Sequence, residues 1–409
     1  MTEERGPLRS VSWQACFPWL MLFRSLGIAF YIRVLVLAYA GVLATDLSWW
    51  VGQQVFRPVE VRVVDQALIP IHSPRLVAER PHASTIGPDD VVGLAVHSVH
   101  GVWNRTTYPF RQLFRADFRL RNVAFFLFVA LAFTATWAFF AGAICRIAAF
   151  EFTLRERCGF NGAVRHACSK FPAYFVSPWF PLVGVAMVCV PILLMGLVNR
   201  LGEIALIVTG IFGFIAVLCA LVIALLAVPL MLAWPLLWGA IATESSDAFD
   251  AMSRAYAYVT QRPFHYAWYL IVSMICGSLG LFAMVLFVEV AVHMLRAMLL
   301  WGGGYDLLAM IGDDPMTLGG RIWSLWVYGL YRLVDAFLYG FFFTAMTGIY
   351  LLLRRDVDQA ELDEIILDDD TPRFAMPTVE KTPEAPPAEE KPATPPSTPG
   401  ETQDEPRED

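Results

Sequence analysis

The segment between Glu203 and Glu244 holds about 40 residues and no charged side chain. A helix needs about 20 mostly apolar residues to cross about 30 Å of hydrocarbon, and 40 residues at about 1.5 Å each would make a helix about twice that long. No soluble fold hides so much apolar surface. The whole chain is 57% hydrophobic and 16% charged, which is typical of membrane proteins.

Six segments are apolar and long enough to be spans. The stretch from Trp13 to Phe30 is also apolar but carries Arg24, so we predict an amphipathic helix on the membrane surface. The predicted fold is an all-α membrane protein, a bundle of about six transmembrane helices with amphipathic interfacial helices and a disordered tail. The candidate spans are residues 34 to 52, 122 to 144, 179 to 198, 204 to 228, 266 to 290 and 331 to 353.

The long uncharged segment must bend. Pro229 and Pro235 are the predicted positions, because proline removes a helical hydrogen bond and clashes with the preceding turn. Residues 230 to 241 then either lie along the interface, which gives six spans, or form another pass. A seventh span would move the C-terminus to the other side of the membrane.

Composition divides the chain into three regions. Residues 1 to 33 form an N-terminal cytoplasmic segment with the interfacial helix, residues 34 to 355 form the bundle, and residues 356 to 409 form an acidic, proline-rich tail. The tail has 17 acidic and four basic side chains, so against a total net charge of −7 the remaining chain carries +6. Proline and like charges oppose compaction, and we predict a disordered spacer or docking tail.

Positive charge in short loops predicts orientation. Residues 145 to 172, residues 243 to 265 and the Arg354-Arg355 pair are basic and fall on one face in a six-span arrangement. We therefore predict a bacterial inner-membrane protein with both termini in the cytoplasm. The nine arginines of residues 53 to 121 oppose this orientation, although long loops follow the rule poorly.

Residues 53 to 121 are predicted to form an extracytoplasmic loop. Its alternating run from Val59 to Val64 is typical of a strand, but the loop is too short and too sparsely apolar for a catalytic domain. His97 and His100 have the spacing of metal ligands on a helix. No acidic or cysteine partner completes a ligand set, so we predict no metal site.

Two parts of the sequence resemble each other. Residues 137 to 144 and 234 to 241 each begin with Trp and end with Gly-Ala-Ile, and each precedes a polar segment with an Ala-x-x-x-Ala pattern. This indicates two parallel copies of a unit made of a helix, a connector and a second helix. Chance similarity between apolar segments is the alternative.

The second connector, residues 243 to 263, predicts an amphipathic helix. Ser245 or Ser246 can cap it, with Asp247 at its positive end, and Asp250 and Arg254 face each other at i, i+4. The apolar stripe consists of Phe249, Met252, Tyr256 and Val259.

Two interpretations of this helix remain open. It is either a docking helix for a protein partner or an ordinary connector packed beneath the bundle. The candidate docking residues are Asp247, Asp250, Arg254 and Arg262.

The Glu-Ser-Ser-Asp start of this connector, its Ala-x-x-x-Ala core and its Arg-Pro close resemble a group of uncharacterised bacterial multi-pass membrane proteins typical of planctomycetes. Residues 13 to 30, 146 to 149 and 350 to 356 also resemble that group, so the resemblance covers most of residues 13 to 358. More loosely, the connector is similar to the membrane domain found beside glycerophosphodiester phosphodiesterases, without their soluble domain. Both resemblances imply a helical bundle, and neither supplies catalytic residues.

Ionisable residues within spans are functional candidates, because a charge in hydrocarbon is costly. Glu289 and His293 lie near the end of the fifth candidate span, and Arg332 and Asp335 lie at the start of the sixth. Adjacent helix ends would bring these four residues into an intramembrane polar cluster for a proton or a small anion. At the outer interface, water would instead solvate them, and Arg332 would pair with Asp335 at i, i+3.

The remaining motifs point away from catalysis. The sequence has no phosphate-binding loop, no GxSxG, no HExxH and no CxxC pair. It also lacks a mid-span histidine for haem and a basic patch interleaved with aromatics. We therefore predict no catalytic residue, no cofactor and no nucleic-acid partner.

The leading hypothesis is a non-enzymatic integral membrane protein with a structural, accessory or assembly role. Its partners would be the lipid bilayer and proteins that bind the cytoplasmic connectors. The alternative is a small-solute transporter or channel, which the repeat, the proline-containing helix and the group formed by Glu289, Arg332 and Asp335 favour.

Overall fold

The computed structural model describes residues 17 to 57, 88 to 113, 120 to 154, 158 to 311 and 318 to 360. Within these ranges the chain is almost entirely α-helical and contains no strand. The strand predicted at residues 59 to 64 and the acidic tail beyond residue 360 lie outside the described residues.

Eleven α-helices occur in the described ranges, and six of them (α2, α4, α6, α8, α10 and α11) are long and apolar enough to cross a membrane. The predicted fold class, an all-α multi-pass membrane bundle, is confirmed. The helices are α1 (Met21–Ala29), α2 (Ile32–Phe56), α3 (Pro88–Leu113), α4 (Leu120–Thr153), α5 (Phe160–Ser169), α6 (Phe171–Val198), α7 (Glu203–Ile211), α8 (Gly213–Glu244), α9 (Ala248–Gln261), α10 (Pro263–Ile311) and α11 (Leu318–Asp358).

The break in the long uncharged segment does not lie at Pro229 or Pro235, where the bend was predicted. Helix α8 continues through Pro229 and Pro235, since helices in lipid tolerate proline where neighbouring groups satisfy the freed backbone. The break lies earlier, at Phe212, which caps both α7 and α8. Residues 233 to 241 are buried, and the whole segment from 230 to 241 belongs to α8, so it forms neither a separate interfacial helix nor a seventh pass.

The predicted loop at residues 53 to 121 contains a helix, α3, that packs in the bundle, which was not expected from the sequence. Helix α3 is not among the six apolar spans, yet Val99 and Val102 are buried in the main core. Arg105 of α3 pairs with an aspartate of α11. A polar helix can enter the core because its charged side chain is paired there. The side chains of His97 and His100 lie outside the described part of the structure.

The N-terminal amphipathic segment is helical at α1 but does not simply lie on lipid. Leu22 is fully buried, and its Cδ2 lies 3.3 Å from the position that a Cβ at Gly348 of α11 would take. Leu26 approaches Gly280 of α10 in the same way. Protein therefore covers the inward face of α1, while Phe23 is exposed.

Helix α11 forms the centre of the bundle. Residues 334 to 353 are all buried, and Phe341, Phe342 and Phe343 have no exposed surface. Trp137 of α4 stacks on Tyr339 with 4.2 Å between ring centroids. Lipid gives helices no hydrophobic reason to associate, so they are held together by close packing. The small residues of α11 allow this, because they let the neighbouring helices approach closely.

The two similar parts of the sequence have the same order of elements. Helices α4, α5 and α6 form a long, short and long series, and α8, α9 and α10 repeat it. Tyr174 and Tyr266 are both the fourth residue of the helix after the connector, and both are buried. Tyr174 packs on Gly142 of α4, whereas the Tyr266 hydroxyl donates to the Leu232 carbonyl of α8, 2.6 Å away.

One end of the bundle, here named the connector end, holds both short connector helices. Arg33 at the start of α2 pairs with Glu151 at the end of α4, 2.5 Å away. Arg354 at the end of α11 lies 3.4 Å from Glu244 at the end of α8. The structure thus confirms that the connectors, the start of α2 and the end of α11 share one face.

Candidate functional site

A cluster of four charged residues joins three helices at the end of the bundle opposite the connectors, named here the far end. Asp46 comes from α2, Arg105 from α3, and Arg332 and Asp335 from α11. Asp335 precedes Arg354 by 19 positions, which is about 29 Å of helix. The far-end cluster therefore lies about one hydrocarbon thickness from the connector end.

The four charges alternate in sign. Asp335 accepts from Arg332 and from Arg105, each at 2.8 Å, and Arg332 also reaches Asp46 at 2.8 Å. Arg332 is 3% exposed and Asp335 is 1% exposed. Because each buried charge touches an opposite one, the cluster satisfies the condition under which such groups persist in low dielectric.

Tyr328 of α11 links Arg332 to Asp46 of α2 through its hydroxyl. Arg332 Nε donates to the Tyr328 hydroxyl at 2.7 Å, and that hydroxyl donates to Asp46 at 3.1 Å. The Arg332 guanidinium also lies 4.7 Å from the centre of the Tyr328 ring. Tyr328 and Asp335 of α11 and Asp46 of α2 thus surround the Arg332 guanidinium and fix its orientation.

The four residues predicted as a polar cluster do not all meet. Arg332 and Asp335 form the predicted i, i+3 pair but are buried. Glu289 is half-buried, and its carboxylate is 3.5 Å from the Tyr331 hydroxyl. His293 is exposed. Sequence reasoning missed Asp46 and Arg105, although Asp46 was detectable as an acidic residue inside a predicted span.

A cavity of about 510 Å³ opens beside the far-end cluster. Asp46 and Tyr328 line it together with Arg321 and Ser324. Arg332, Asp335 and Glu289 do not line it. The cavity therefore meets the cluster at Asp46 and Tyr328.

A second ionic cluster lies at the connector end around Glu244, which is 6% exposed. Its carboxylate accepts from Arg254 at 2.7 Å, from Arg354 at 3.4 Å and from the Tyr350 hydroxyl. Burial alone would lower the pKa of Arg254, but its hydrogen bond to Asp250 and the charge of Glu244 raise that pKa above its usual range. The cluster ties connector α9 to the ends of α8 and α11.

Helix α9 presents a different face to the bundle from the predicted stripe. Ala251, Ala255, Tyr258 and Val259 are buried, whereas Phe249 is 58% exposed. Small alanines allow close approach to the bundle, and this outweighs the size of the Phe249 side chain. Of the predicted stripe of Phe249, Met252, Tyr256 and Val259, Val259 alone is therefore buried against the bundle.

The candidate docking residues have separate roles. Asp247 caps α9 by accepting from the Asp250 amide at 2.8 Å, and Asp250 pairs with Arg254 at 3.1 Å. Arg262 follows the helix and is exposed. Arg254 holds the connector to the bundle, whereas the exposed Phe249 of α9 and the exposed Arg262 after it are accessible to a partner.

Basic side chains at the connector end also donate to backbone carbonyls. The buried Arg146 of α4 donates to the Ala242 carbonyl of α8 at 2.6 Å, and Lys170 donates to the Ser245 carbonyl at 2.5 Å. Positive charge at a helix C-terminus satisfies orphan carbonyls and opposes the negative dipole end. The first unit of the repeat thus caps the helix of the second.

These features define a multi-pass α-helical membrane protein with an ionic cluster at each end of a closed core. Among the described residues, no group of three His, Cys, Asp or Glu side chains could hold a metal ion. No protein-family model, curated protein or solved structure significantly matches the chain. The resemblances drawn from the connector sequence therefore stay predictions.

Proposed function

We propose that the protein is a non-enzymatic integral membrane component with a structural, accessory or assembly role. The supporting observation is the closed centre of the bundle between the two ionic clusters. Tyr339, Thr344 and Thr347 are the polar side chains of α11 between Asp335 and Tyr350. The two threonines bond back to the Gly340 and Phe343 carbonyls of their own helix, and Tyr339 stacks on Trp137. Within the described residues, α11 thus offers a solute no polar path between the two ends of the bundle.

The connector end is the proposed docking surface for protein partners. Phe249 and Arg262 are exposed there, while the opposite face of α9 is anchored through Arg254 and its alanines. A rigidly held helix can present an apolar and a basic side chain at little entropic cost. Substitution of exposed residues should therefore affect binding without affecting the fold.

Cross-linking and copurification of the tagged full-length chain tests this role. Phe249→Ser combined with Arg262→Glu should reduce partner recovery while leaving the protein's own level unchanged. The matched control is Ala255→Leu on the buried face, which should lower the level of the protein itself. Solute flux through liposomes that contain only the purified protein would contradict the proposal.

We also propose that the connector end faces the cytoplasm of a bacterial cell, in the inner membrane. Support comes from the basic side chains at that end, which follow the distribution of positive charge in short loops. They are Arg24, Arg33, Arg146, Arg165, Lys170, Arg254, Arg262, Arg354 and Arg355. A fluorescent-protein fusion after residue 360 should fluoresce, and a periplasmic phosphatase fusion there should be inactive. The reverse result would invert the orientation.

A small-solute transporter is the second candidate, favoured by the cavity that reaches Asp46 at the far end. Asp46 is the most suitable residue for the test because its side chain is 20% exposed, whereas that of Asp335 is 2% exposed. A transporter predicts that Asp46→Asn abolishes uptake at a normal protein level. Asp335→Asn would also remove uptake, but the accompanying loss of a buried ion pair makes it the less informative variant.

A further inference from the structure

The cavity beside the far-end cluster, of about 510 Å³, lies between the last turns of α2 and the first turns of α11. Its volume is within the range of small-molecule sites, about 300 to 1,000 Å³. Residues three or four positions apart share one face of a helix, and each wall of the cavity is such a face. The walls consist of Asp46, Leu47, Trp50 and Gln53 of α2 and of Arg321, Ser324, Leu325 and Tyr328 of α11.

The cavity has an inner end at the cluster and an outer end away from it. A Cβ at Gly340 would lie 3.2 Å from Val34, and the Tyr328 hydroxyl donates to Asp46 at 3.1 Å, so α2 and α11 run antiparallel. Asp46 and Tyr328 therefore form the inner end. Arg321 precedes Tyr328 by seven positions, which is about 10 Å of helix, and it lies at the outer end.

The two ends of the cavity carry opposite charges. At the inner end the side chain of Asp46 is 20% exposed, whereas that of Asp335, deeper in the cluster, is 2% exposed. At the outer end Arg321 is exposed, and its guanidinium has no ion pair or hydrogen bond among the described residues. The cavity therefore offers a ligand a carboxylate at one end and a cation at the other.

Both charges together select the ligand. A simple cation beside Asp46 would lie close to Arg332 as well, and a simple anion that fills the cavity would meet Asp46. A molecule with both charges meets an opposite charge at each end. Trp50, one turn from Asp46 and 58% exposed, adds an aromatic ring that attracts an ammonium group.

We propose that this cavity binds a small soluble zwitterion of the ω-amino acid class. Its ammonium group lies between Asp46 and the Trp50 ring, and its carboxylate pairs with Arg321 and with the side-chain amide of Gln53, seven positions after Asp46. Since the two ends are about 10 Å apart along the helix, the ligand's charges belong at opposite ends of a short chain. The inference concerns binding alone, so it does not rest on the structural role proposed above, and it names a solute for the second candidate.

Scintillation-proximity binding of tritiated 6-aminohexanoate to the purified full-length chain in detergent tests the site. One molecule should bind per chain. Glycine, whose two charges are adjacent, should compete about tenfold more weakly. Hexanoate and hexylamine each keep one charge and should also compete poorly. Absence of binding, or competition by hexanoate or hexylamine as strong as that by 6-aminohexanoate, would overturn the proposal.

Substitutions in the walls test the contacts one at a time. Asp46→Asn and Arg321→Gln should each weaken binding about tenfold, because each removes a charge-assisted hydrogen bond. Trp50→Leu should weaken it about threefold. Ser324→Phe, which fills the cavity, should abolish it. Arg321 and Trp50 are exposed, so their variants should fold, and unchanged binding by both would overturn the proposal.

Matched controls separate a specific site from general adhesion. Ser324 lines the cavity, but its hydroxyl donates to the Arg321 carbonyl of its own helix at 2.8 Å. Ser324→Ala should therefore bind the zwitterion as the wild type does. Arg57 is exposed after the end of α2 and does not line the cavity, so Arg57→Gln should also leave binding unchanged. Gel filtration and melting curves of every variant verify that it folds.

A lipid headgroup is the other source of the same pair of charges. Binding is therefore compared in nanodiscs of phosphatidylglycerol, which lacks an ammonium group, and of phosphatidylethanolamine, which carries both charges. Equal binding in the two supports a soluble ligand, whereas loss of binding in phosphatidylethanolamine would assign the cavity to that headgroup and overturn the proposal. Uptake into liposomes is measured separately, and binding without uptake would support this site while it contradicts a transporter.

Discussion

Helices α8 and α11 are both spans, yet their surroundings are opposite. Helix α8 contains the most apolar stretch of the six spans, and no residue of that stretch is buried. The corresponding stretch of α11 is less apolar and is entirely buried. Between these two helices, the one with the higher hydropathy is therefore the one that the rest of the bundle leaves uncovered.

The physical reason is that lipid tails are as apolar as leucine. Burial of a leucine between helices gains little hydrophobic free energy, so close packing and polar pairing decide which helix lies inside. Helix α11 carries Arg332, Asp335 and the small residues Gly340 and Gly348, which lipid accommodates poorly. Helix α8 has none of these in residues 214 to 232, where it is exposed or half-buried apart from Leu230.

The largest effect should come from the charge at the centre of the far-end cluster. Asp335→Leu leaves Arg105 and Arg332 without the carboxylate that they share, and we expect a loss of about 4 kcal/mol in the free energy of unfolding. Asp46→Leu should lower the free energy of unfolding by less, because Arg332 still pairs with Asp335. Unfolding in mixed micelles by SDS titration measures both. If both variants lowered the free energy of unfolding by a similar small amount, water would have to reach the far-end cluster.

Truncation of large side chains compares the two helices directly. Phe342→Ala in α11 removes a fully buried ring and should cost about 3 kcal/mol. Leu221→Ala in α8 alters a side chain that is 63% exposed and should change stability by less than about 0.5 kcal/mol, since lipid fills the space. The same titration applies. Equal losses would show that a partner covers α8.

Glycine substitution sharpens the same contrast. A Cβ at Gly348 would lie 3.2 Å from the Phe152 ring, and Gly348→Ala should cost about 2 kcal/mol through overpacking. Gly196 of α6 has no neighbour within 4 Å of that position. Gly196→Ala should gain about 0.5 kcal/mol, because alanine favours the helix. Thermal melting of the two variants side by side is the measurement, and a neutral Gly348→Ala would argue against the close packing.

The smallest difference between two paired variants should come from Tyr256 and Tyr258 of the connector helix α9. Tyr258 donates to Asp358, so Tyr258→Phe should cost about 1 kcal/mol. The Tyr256 hydroxyl has no partner among the described residues, so Tyr256→Phe should be neutral or stabilising. Chemical unfolding at neutral pH compares the two, and a destabilised Tyr256→Phe variant would reveal a partner for that hydroxyl.

Tyr256 also gives this pair of variants a pH dependence. Burial raises the pKa of Tyr256 to about 12 from the ordinary 10.0. A raised pKa means that the folded state holds its proton longer than the unfolded state. The wild-type protein should therefore lose stability as the pH rises from about 10 towards 12, and Tyr256→Phe should lack that part of the loss.

Sequence reasoning succeeded where one dominant force acts. Long apolar segments can only be spans, and the i, i+3 spacing brought Arg332 to Asp335 as predicted. It missed Arg105, because α3 is too polar to be recognised as part of a membrane core before its partner on α11 is known. Pairing between residues 230 positions apart leaves no local pattern.

The orientation of α9 shows a second limit. Periodicity selects the larger side chains of a helix as its inner face, and that rule suits water. Here Ala251 and Ala255 pack inwards while Phe249 lies outside, because close contact between helices decides the packing.

The far-end cluster also bears on how the chain is made. Asp46 and Arg105 leave the ribosome long before Asp335, so for most of translation their charges must stay hydrated or be shielded by the insertion machinery. When α11 inserts between the earlier helices, Arg332 pairs with Asp46 and Asp335 pairs with Arg105, so both charges are neutralised together. The bundle should consequently assemble only after α11 has been synthesised. A chain that fails to assemble would expose the unpaired Arg105, which the membrane quality-control machinery can recognise.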